Sequence, residues 1–181
     1  TNTASVTVSV NALPSVSAGS NVTICEGSST TLTGSGAATY SWTPGASLSC
    51  TACASPSATP SSTTIYTVVG TSATGCSASA TVQVSVNPLA ATISGSSNVC
   101  LAQTTTFTCG TSGGTWSSSN TAAATIGAAT GVFASVTTGT TRISYILPTG
   151  CFTTKMVTVN PAVNASATSV NVSCNGGANG S

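Results

Sequence analysis

The chain has 181 residues, and only Glu26, Arg142 and Lys155 carry a formal charge. The charged share of 2% is far below the usual share of about a quarter, and neither His nor Asp occurs. Acid–base and nucleophilic catalysis need a His, a carboxylate pair or a similar tunable group, so the composition argues against an enzyme and against a cofactor. It also argues against a carboxylate-built Ca²⁺ site and against a nucleic-acid partner.

Hydroxyl side chains take the place of charge, with 32 Ser and 36 Thr residues. A disordered Ser/Thr tract is the first alternative, but a mean hydropathy of +0.38 and a net charge of +1 do not suit a disordered chain. No run of 18 apolar residues is present, so we expect no membrane insertion. Eight cysteines favour an oxidising, extracellular compartment. We therefore expect a secreted, ordered protein.

Alternating Val and Thr residues and frequent turn residues predict short β-strands throughout. In the first half we place strands at 21–25, 29–34, 38–42, 63–70 and 76–86. In the second half we place them at 91–94, 103–108, 114–118, 123–127, 131–137, 140–147 and 151–159. Many short strands at this spacing predict an all-β fold of immunoglobulin-like β-sandwich modules in tandem.

The chain also repeats itself at a period of about 73 residues. Alternating runs end near three prolines, and a cysteine follows each proline at a similar distance: Pro14 and Cys25, Pro88 and Cys100, Pro161 and Cys174. One Trp follows the first cysteine of each full repeat, namely Trp42 and Trp116. We predict two complete modules at 14–88 and 89–161, the last strand of a preceding module at 1–13, and the opening strands of a following module at 162–181. With no start Met or signal peptide, we interpret the sequence as a segment of a longer chain.

Modules of this size with cores of Val and Ala are expected to need disulfide bonds for stability. By the equivalence of the repeats we pair Cys25 with Cys76 and Cys100 with Cys151, each pair 51 residues apart. Each such disulfide would remove roughly 4 kcal/mol of chain entropy from the unfolded state.

Several motifs resemble known bacterial modules. The first module resembles PKD-like domains of large secreted bacterial surface proteins through the motifs Thr23–Gly27, Tyr40–Pro44, Ser47–Cys53, Thr64–Val68 and Gly75–Cys76. The second is similar to bacterial Ig-like domains of the group 2 type through Thr115–Ala122, Gly131–Val132 and Gly139–Tyr145. The tail Val170–Ser181 resembles the opening of the gliding-motility adhesin repeat. The resemblance implies export by the type IX route to the cell surface of a bacterium, within an adhesin or filament.

The other cysteines have competing interpretations. Cys50 and Cys53 form a C-x-x-C motif, which we interpret as a local structural disulfide, because neither further zinc ligands nor a thioredoxin-like context is present. Cys109 is a buried thiol, or else it bridges to Cys174 or to another chain. The adhesin-repeat resemblance implies that Cys174 pairs with a cysteine of the following module.

Three further sets of residues raise functional alternatives. Trp42 and Trp116 are core residues packed on a disulfide, or sugar-stacking platforms. We interpret the three charged residues as solvated surface residues, against the alternative of a Lys–Asn cross-link. Four asparagines lie in N-glycosylation sequons: Asn21, Asn164, Asn171 and Asn179. Because a surface without charge needs another source of solubility, we expect covalently attached glycans, with Ser and Thr as the more numerous attachment points.

These observations favour a structural segment of an extracellular, glycosylated filament or adhesin stalk. Its expected partners are neighbouring modules or copies of the same chain. The alternative is an adhesion module that binds carbohydrate or protein. The tails 1–13 and 162–181 could also complete a neighbour's sheet by strand addition, although a longer continuous chain is the simpler explanation.

Overall fold

The computed structural model describes residues 3–162, and within them all regular secondary structure is β-strand. In chain order the strands are β1 (Val22–Cys25), β2 (Thr30–Thr31), β3 (Thr39–Thr43), β4 (Ser57–Ala58), β5 (Thr64–Thr71), β6 (Ser77–Asn87), β7 (Ile93–Ser94), β8 (Asn98–Cys100), β9 (Thr104–Thr106), β10 (Thr108–Cys109), β11 (Thr115–Ser118), β12 (Ala124–Ile126), β13 (Val132–Ser135), β14 (Gly139–Ile146) and β15 (Phe152–Asn160).

Every strand that the sequence predicts in residues 14–161 is present, although the segment 103–108 is split between β9 and β10. The alternation of apolar and hydroxyl residues explains this agreement. In β6, Val82 and Val84 are buried and Ser79 and Thr81 are exposed. The sequence analysis missed β4 and β8, which have two and three residues and are too short to show alternation.

A four-stranded sheet with the order β1-β6-β5-β3 forms the main layer of the first half of the chain. β6 pairs antiparallel with β5, and β5 pairs antiparallel with β3. β1 pairs parallel with the end of β6, which places Cys25 opposite Asn87. A two-stranded sheet, β2-β4, supplies the second layer.

The second half of the chain repeats this plan. Its four-stranded sheet has the order β8-β15-β14-β11, in which β8 pairs parallel with the end of β15. A three-stranded sheet, β12-β13-β9, takes the place of β2-β4, and β10 pairs with β7. The repeat in the sequence is therefore also a repeat in topology, with β8, β11, β14 and β15 equivalent to β1, β3, β5 and β6.

The first core is formed by side chains from both of its layers. The four-stranded sheet contributes Trp42, Tyr66, Val68, Val82 and Val84, and the smaller layer contributes Leu32 and Ala58. Gly36 lies at a close approach of the chain: its φ is +86°, and a Cβ atom there would overlap the carbonyl oxygen of Ser15. Only glycine fits that position.

The second core has an aromatic pair and a buried hydroxyl. Phe107 and Phe133 pack edge to face, with ring centroids 5.4 Å apart. Thr141 is buried, and its Oγ1 accepts a hydrogen bond from the backbone N–H of Asn120 at 3.1 Å and pairs with the hydroxyl of Ser118 at 2.8 Å. Because these bonds satisfy the hydroxyl, its burial does not carry the cost of an unpaired polar group.

Backbone proximity divides the chain into two compact units. Of the described residues, the first unit comprises those up to Ile93 with Cys109–Thr115 and Tyr145–Thr153, and the second comprises Ser94–Thr108, Trp116–Ser144 and those from Thr154 to Ala162. The boundaries 14–88 and 89–161 stay a prediction, as does the assignment of 1–13 to a preceding module. The predicted opening strands at 162–181 lie, apart from Ala162, outside the described residues.

Candidate functional site

The most distinctive chemical feature of the chain is a disulfide between Cys25 and Cys151. It joins residues 126 positions apart, with their Cα atoms 5.6 Å from each other. Cys25 ends β1, and Cys151 closes the turn between β14 and β15. Asn87 lies between them: its carbonyl oxygen accepts the backbone N–H of Glu26 at 2.9 Å and lies 4.0 Å from Sγ of Cys151.

This bond corrects the pairing of Cys25 with Cys76 and of Cys100 with Cys151. Cys25 lies opposite Asn87 at the end of β6, whereas Cys76 immediately precedes the start of that 11-residue strand. At about 3.3 Å per residue the two ends of β6 are roughly 33 Å apart, far beyond the reach of a disulfide of about 7 Å between Cα atoms. Cys100 and Cys151 are separated in the same way by the length of β15.

The turns that carry Cys76 and Cys151 have the same backbone hydrogen bonds. Ser72 N–H donates to the carbonyl of Cys76 at 2.8 Å, and Leu147 N–H donates to the carbonyl of Cys151 at 2.9 Å. The glycine before each cysteine has a positive φ, +87° at Gly75 and +84° at Gly150. Cys76 therefore stands in the first repeat where Cys151 stands in the second.

The remaining described cysteines differ in state. Cys50 and Cys53 form a disulfide, with their Cα atoms 6.0 Å apart, in the loop that follows β3. Within residues 3–162, Cys76, Cys100 and Cys109 are free thiols. The Cys109 thiol is half-buried and donates to the carbonyl oxygen of Ala91 at 3.2 Å. Cys174, and with it a Cys109–Cys174 bridge, lies outside the described residues.

Both tryptophans are core residues, which is the first of the two interpretations that the sequence left open. Trp42 is 1% exposed and Trp116 is 7% exposed, so neither presents a ring face to a sugar. The indole Nε1–H of Trp42 donates to the carbonyl oxygen of Cys53 at 2.9 Å, which ties the short disulfide loop to the core. The sugar-stacking alternative is therefore wrong for these two residues.

The three charged residues lie at or near the surface. Glu26 and Arg142 are exposed and Lys155 is half-buried. Among residues 3–162, no group of three His, Cys, Asp or Glu residues could hold a metal ion. No helix in that range is long and apolar enough to cross a membrane.

The glycosylation sequons are only partly within the described residues. Asn21 is exposed, and its Oδ1 accepts the backbone N–H of Gln83 at 2.8 Å. Asn21 is one of the residues that line a surface cavity formed by 18–22, 30–33 and Val82, none of which has an ionisable side chain. Asn164, Asn171 and Asn179 lie outside the described residues, and glycosylation at all four positions stays a prediction.

Comparison with known proteins identifies the fold and nothing finer. No protein-family model and no curated protein sequence matches the chain. Among solved structures, the C-terminal 282-residue fragment of intimin in complex with the intimin-binding domain of the translocated intimin receptor is similar at a TM-score of 0.50 and 17% identity. The alignment covers 83% of this chain and 65% of that fragment, which is less than two thirds of its length.

Two further matches are weaker. The titin I-band fragment I67–I69 has a TM-score of 0.40 at 13% identity, over 84% of this chain and 66% of the fragment. The insect immune protein hemolin has the same TM-score and identity, over 83% of this chain and 46% of hemolin. Together with the strand order and the two-layered cores, the intimin likeness shows that the chain is an all-β protein with the immunoglobulin-like β-sandwich fold.

Proposed function

We propose that the chain is a load-bearing structural segment of an extracellular filament or cell-surface adhesin stalk, built from tandem Ig-like modules of the PKD-like and bacterial group 2 types. The observation that carries this proposal is the Cys25–Cys151 disulfide. It encloses 126 residue steps of the chain in one covalent loop.

The loop changes what a pulling force can do to the chain. A force applied at the two ends passes through the disulfide and bypasses residues 26–150. In a chain held only at those two ends, the strands β2 to β14 lie inside that loop and carry no tension along the backbone. This property suits a tensile spacer, because a covalent bond, and not the hydrogen bonds between strands, then limits how far the chain can lengthen.

Force spectroscopy on single chains held near residues 3 and 162 tests the proposal. The oxidised chain should not release the loop, whereas the Cys25→Ala/Cys151→Ala chain should lengthen by an additional 42–45 nm or so, since an extended residue spans about 3.3–3.6 Å. The Cys50→Ala/Cys53→Ala chain is the matched control, because that disulfide lies within the bypassed residues and its removal should add no length while Cys25–Cys151 is intact. An oxidised chain that releases the full length would exclude the load-bearing role.

Glycosylation and export complete the proposal. Most Ser and Thr side chains in the described strands point outward, and 2% charged residues leave the surface without the usual source of solubility. Glycans on Ser, Thr or sequon asparagines would supply it. A disulfide-bonded chain also suits the outside of a bacterial cell. Intact-mass measurement of native material should exceed the polypeptide mass, and a bare mass would refute glycosylation.

The alternative is a module that binds carbohydrate or protein. Burial of both tryptophans removes its most direct carbohydrate platform, and the loops and sheet edges remain as its possible surfaces. A glycan array probed with the oxidised chain tests it, and a reproducible, competable hit would favour binding over a purely structural role.

A further inference from the structure

The joint formed by Cys25, Asn87 and Cys151 has three parts: a strand ending in cysteine, an asparagine opposite it on a parallel neighbour, and a turn cysteine beside that asparagine. In the complete joint, Cys25 and Asn87 are paired in register and the sulfurs of Cys25 and Cys151 are bonded. The described chain contains two further sets of these parts, and each lacks one member.

The first incomplete joint consists of Asn11 and Cys76. The Sγ of Cys76 lies 3.9 Å from the carbonyl oxygen of Asn11, as Cys151 lies 4.0 Å from that of Asn87. Both asparagines follow the sequence Ser-Val at the end of an alternating run. The missing part is a strand that ends in cysteine.

The second incomplete joint consists of Cys100 and Asn160. These residues are paired in register at the end of β8 and β15, as Cys25 and Asn87 are at the end of β1 and β6. The backbone N–H of Leu101 donates to the carbonyl of Asn160 at 2.8 Å, which matches the bond from Glu26 to Asn87. Cys100 is exposed, and the missing part is a turn cysteine.

The segment before Asn11 also lacks a sheet. Val6, Val8 and Val10 are 86%, 80% and 92% exposed, although they alternate with Ser and Thr in the same way as the buried valines of β6. Residues 3–13 belong to no strand of the described structure. A run of this kind forms a stable strand in water only when it pairs with other strands and its apolar face is covered.

We propose that Cys76 and Cys100 are the two open ends of a disulfide relay that joins successive Ig-like repeats. A β1-type strand of one further repeat pairs in parallel with residues 5–11 and places its terminal cysteine against Cys76. The turn cysteine of another repeat reaches Cys100. The partner in both cases is a repeat of this same design, and the inference deepens the proposed load-bearing function, on which it rests.

The chemistry is the oxidation of two thiols. At each joint the two Sγ–H groups lose two protons and two electrons and form one S–S bond. The electrons pass to a disulfide-bearing oxidant, such as a dithiol–disulfide oxidoreductase or oxidised glutathione, whose own S–S bond is reduced to two thiols. No metal or further cofactor takes part.

Thiol mapping of native material tests the relay. The material is alkylated with N-ethylmaleimide without reduction and cleaved with chymotrypsin, whose sites include Tyr66, Leu89, Leu101, Phe107 and Trp116. Cys76, Cys100 and Cys109 then lie on the separate peptides 67–89, 90–101 and 108–116. We expect each of the peptides 67–89 and 90–101 to be disulfide-linked to a partner peptide, and neither to carry maleimide.

The identity of the linked peptide distinguishes two sources of the partner. After oxidation of mixed ¹⁴N- and ¹⁵N-labelled chains, a mixed-label link between 67–89 and 90–101 identifies a second copy of this chain. A peptide of another sequence, in native material, identifies a further repeat. Both results support the relay, and a Cys76→Ala chain should lose the first link whereas a Cys109→Ala chain keeps it.

Recovery of Cys76 and Cys100 as alkylated thiols from native material, or of a Cys76–Cys109 link, overturns the inference. Such a result would leave the proposed function standing, because the pulling experiment depends on the Cys25–Cys151 loop and on neither of these thiols.

Discussion

Removing the Cys25–Cys151 disulfide should destabilise the chain more than any other change of two side chains of similar size. A loop of 126 residue steps restricts the unfolded chain by about 5 kcal/mol in the loop-entropy model. Replacing Cys151, which is fully buried, with Ala adds on the order of 1 kcal/mol of lost burial. Together these losses come to about 6 kcal/mol, and at about 2–4 °C per kcal/mol for a chain of this size Cys25→Ala/Cys151→Ala should lower Tm by about 12–24 °C.

Denaturant unfolding followed by tryptophan fluorescence measures this effect, since Trp42 and Trp116 are both buried and become exposed on unfolding. Cys76→Ala is the matched control, because it removes a half-buried sulfur that closes no loop. Its expected cost is below about 1 kcal/mol. Cys50→Ala/Cys53→Ala removes a disulfide that closes a loop of only three residue steps and should cost about 2 kcal/mol.

Peptide mapping checks the connectivity on which this prediction rests. Cleavage after Glu26, Arg142 and Lys155 separates the fragments 1–26 and 143–155 from the fragment 27–142. Without reduction, 1–26 and 143–155 should be recovered joined to each other. Attachment of either fragment to 27–142 would refute the reasoning, as would a Cys76→Ala variant as unstable as Cys25→Ala/Cys151→Ala.

Three further substitutions test the packing, each measured as the free energy of unfolding in denaturant. Gly36→Ala should cost about 2 kcal/mol or more, whereas Gly113→Ala, with a φ of +83° but nothing within 4 Å of the added Cβ, should cost only the strain of about 1–2 kcal/mol. Equal costs at the two glycines would contradict the close approach at Gly36. Thr141→Val should cost about 1–3 kcal/mol, because the partly buried groups that hydrogen-bond to the Thr141 hydroxyl are left without that partner. Thr140 is exposed, so Thr140→Val should change the free energy of unfolding by no more than about 0.5 kcal/mol. Trp42→Ala should cost about 3–5 kcal/mol, and a loss below 1 kcal/mol would place that ring outside the core.

Much of the fold could be predicted because strand signals are local. The alternation in 76–86 and 151–159 defines β6 and β15, and burial of Val82 and Val157 follows from it. Strands as short as β4 and β8 carry no such signal. They form because neighbouring strands offer them partners, and that information is not present in two or three residues.

The candidate site shows the opposite case. The repeat identified Cys76 and Cys151 as equivalent, and likewise Cys25 and Cys100, but equivalence does not say which class of cysteine bonds to which. The parallel pairing of β1 with the end of β6 places Cys25 and Cys76 at opposite ends of the sheet. Strand direction and register are tertiary properties, so the pairing could not be read from spacing alone.

The sequence by itself determined that the protein is all-β, repeated and almost free of charge, because alternation, period and composition are written residue by residue. Only the tertiary structure decided that Cys25 bonds to Cys151 and that both tryptophans face the core. Disulfide partners are chosen by distance in space, and residues 126 positions apart come within 5.6 Å only when the whole chain has folded.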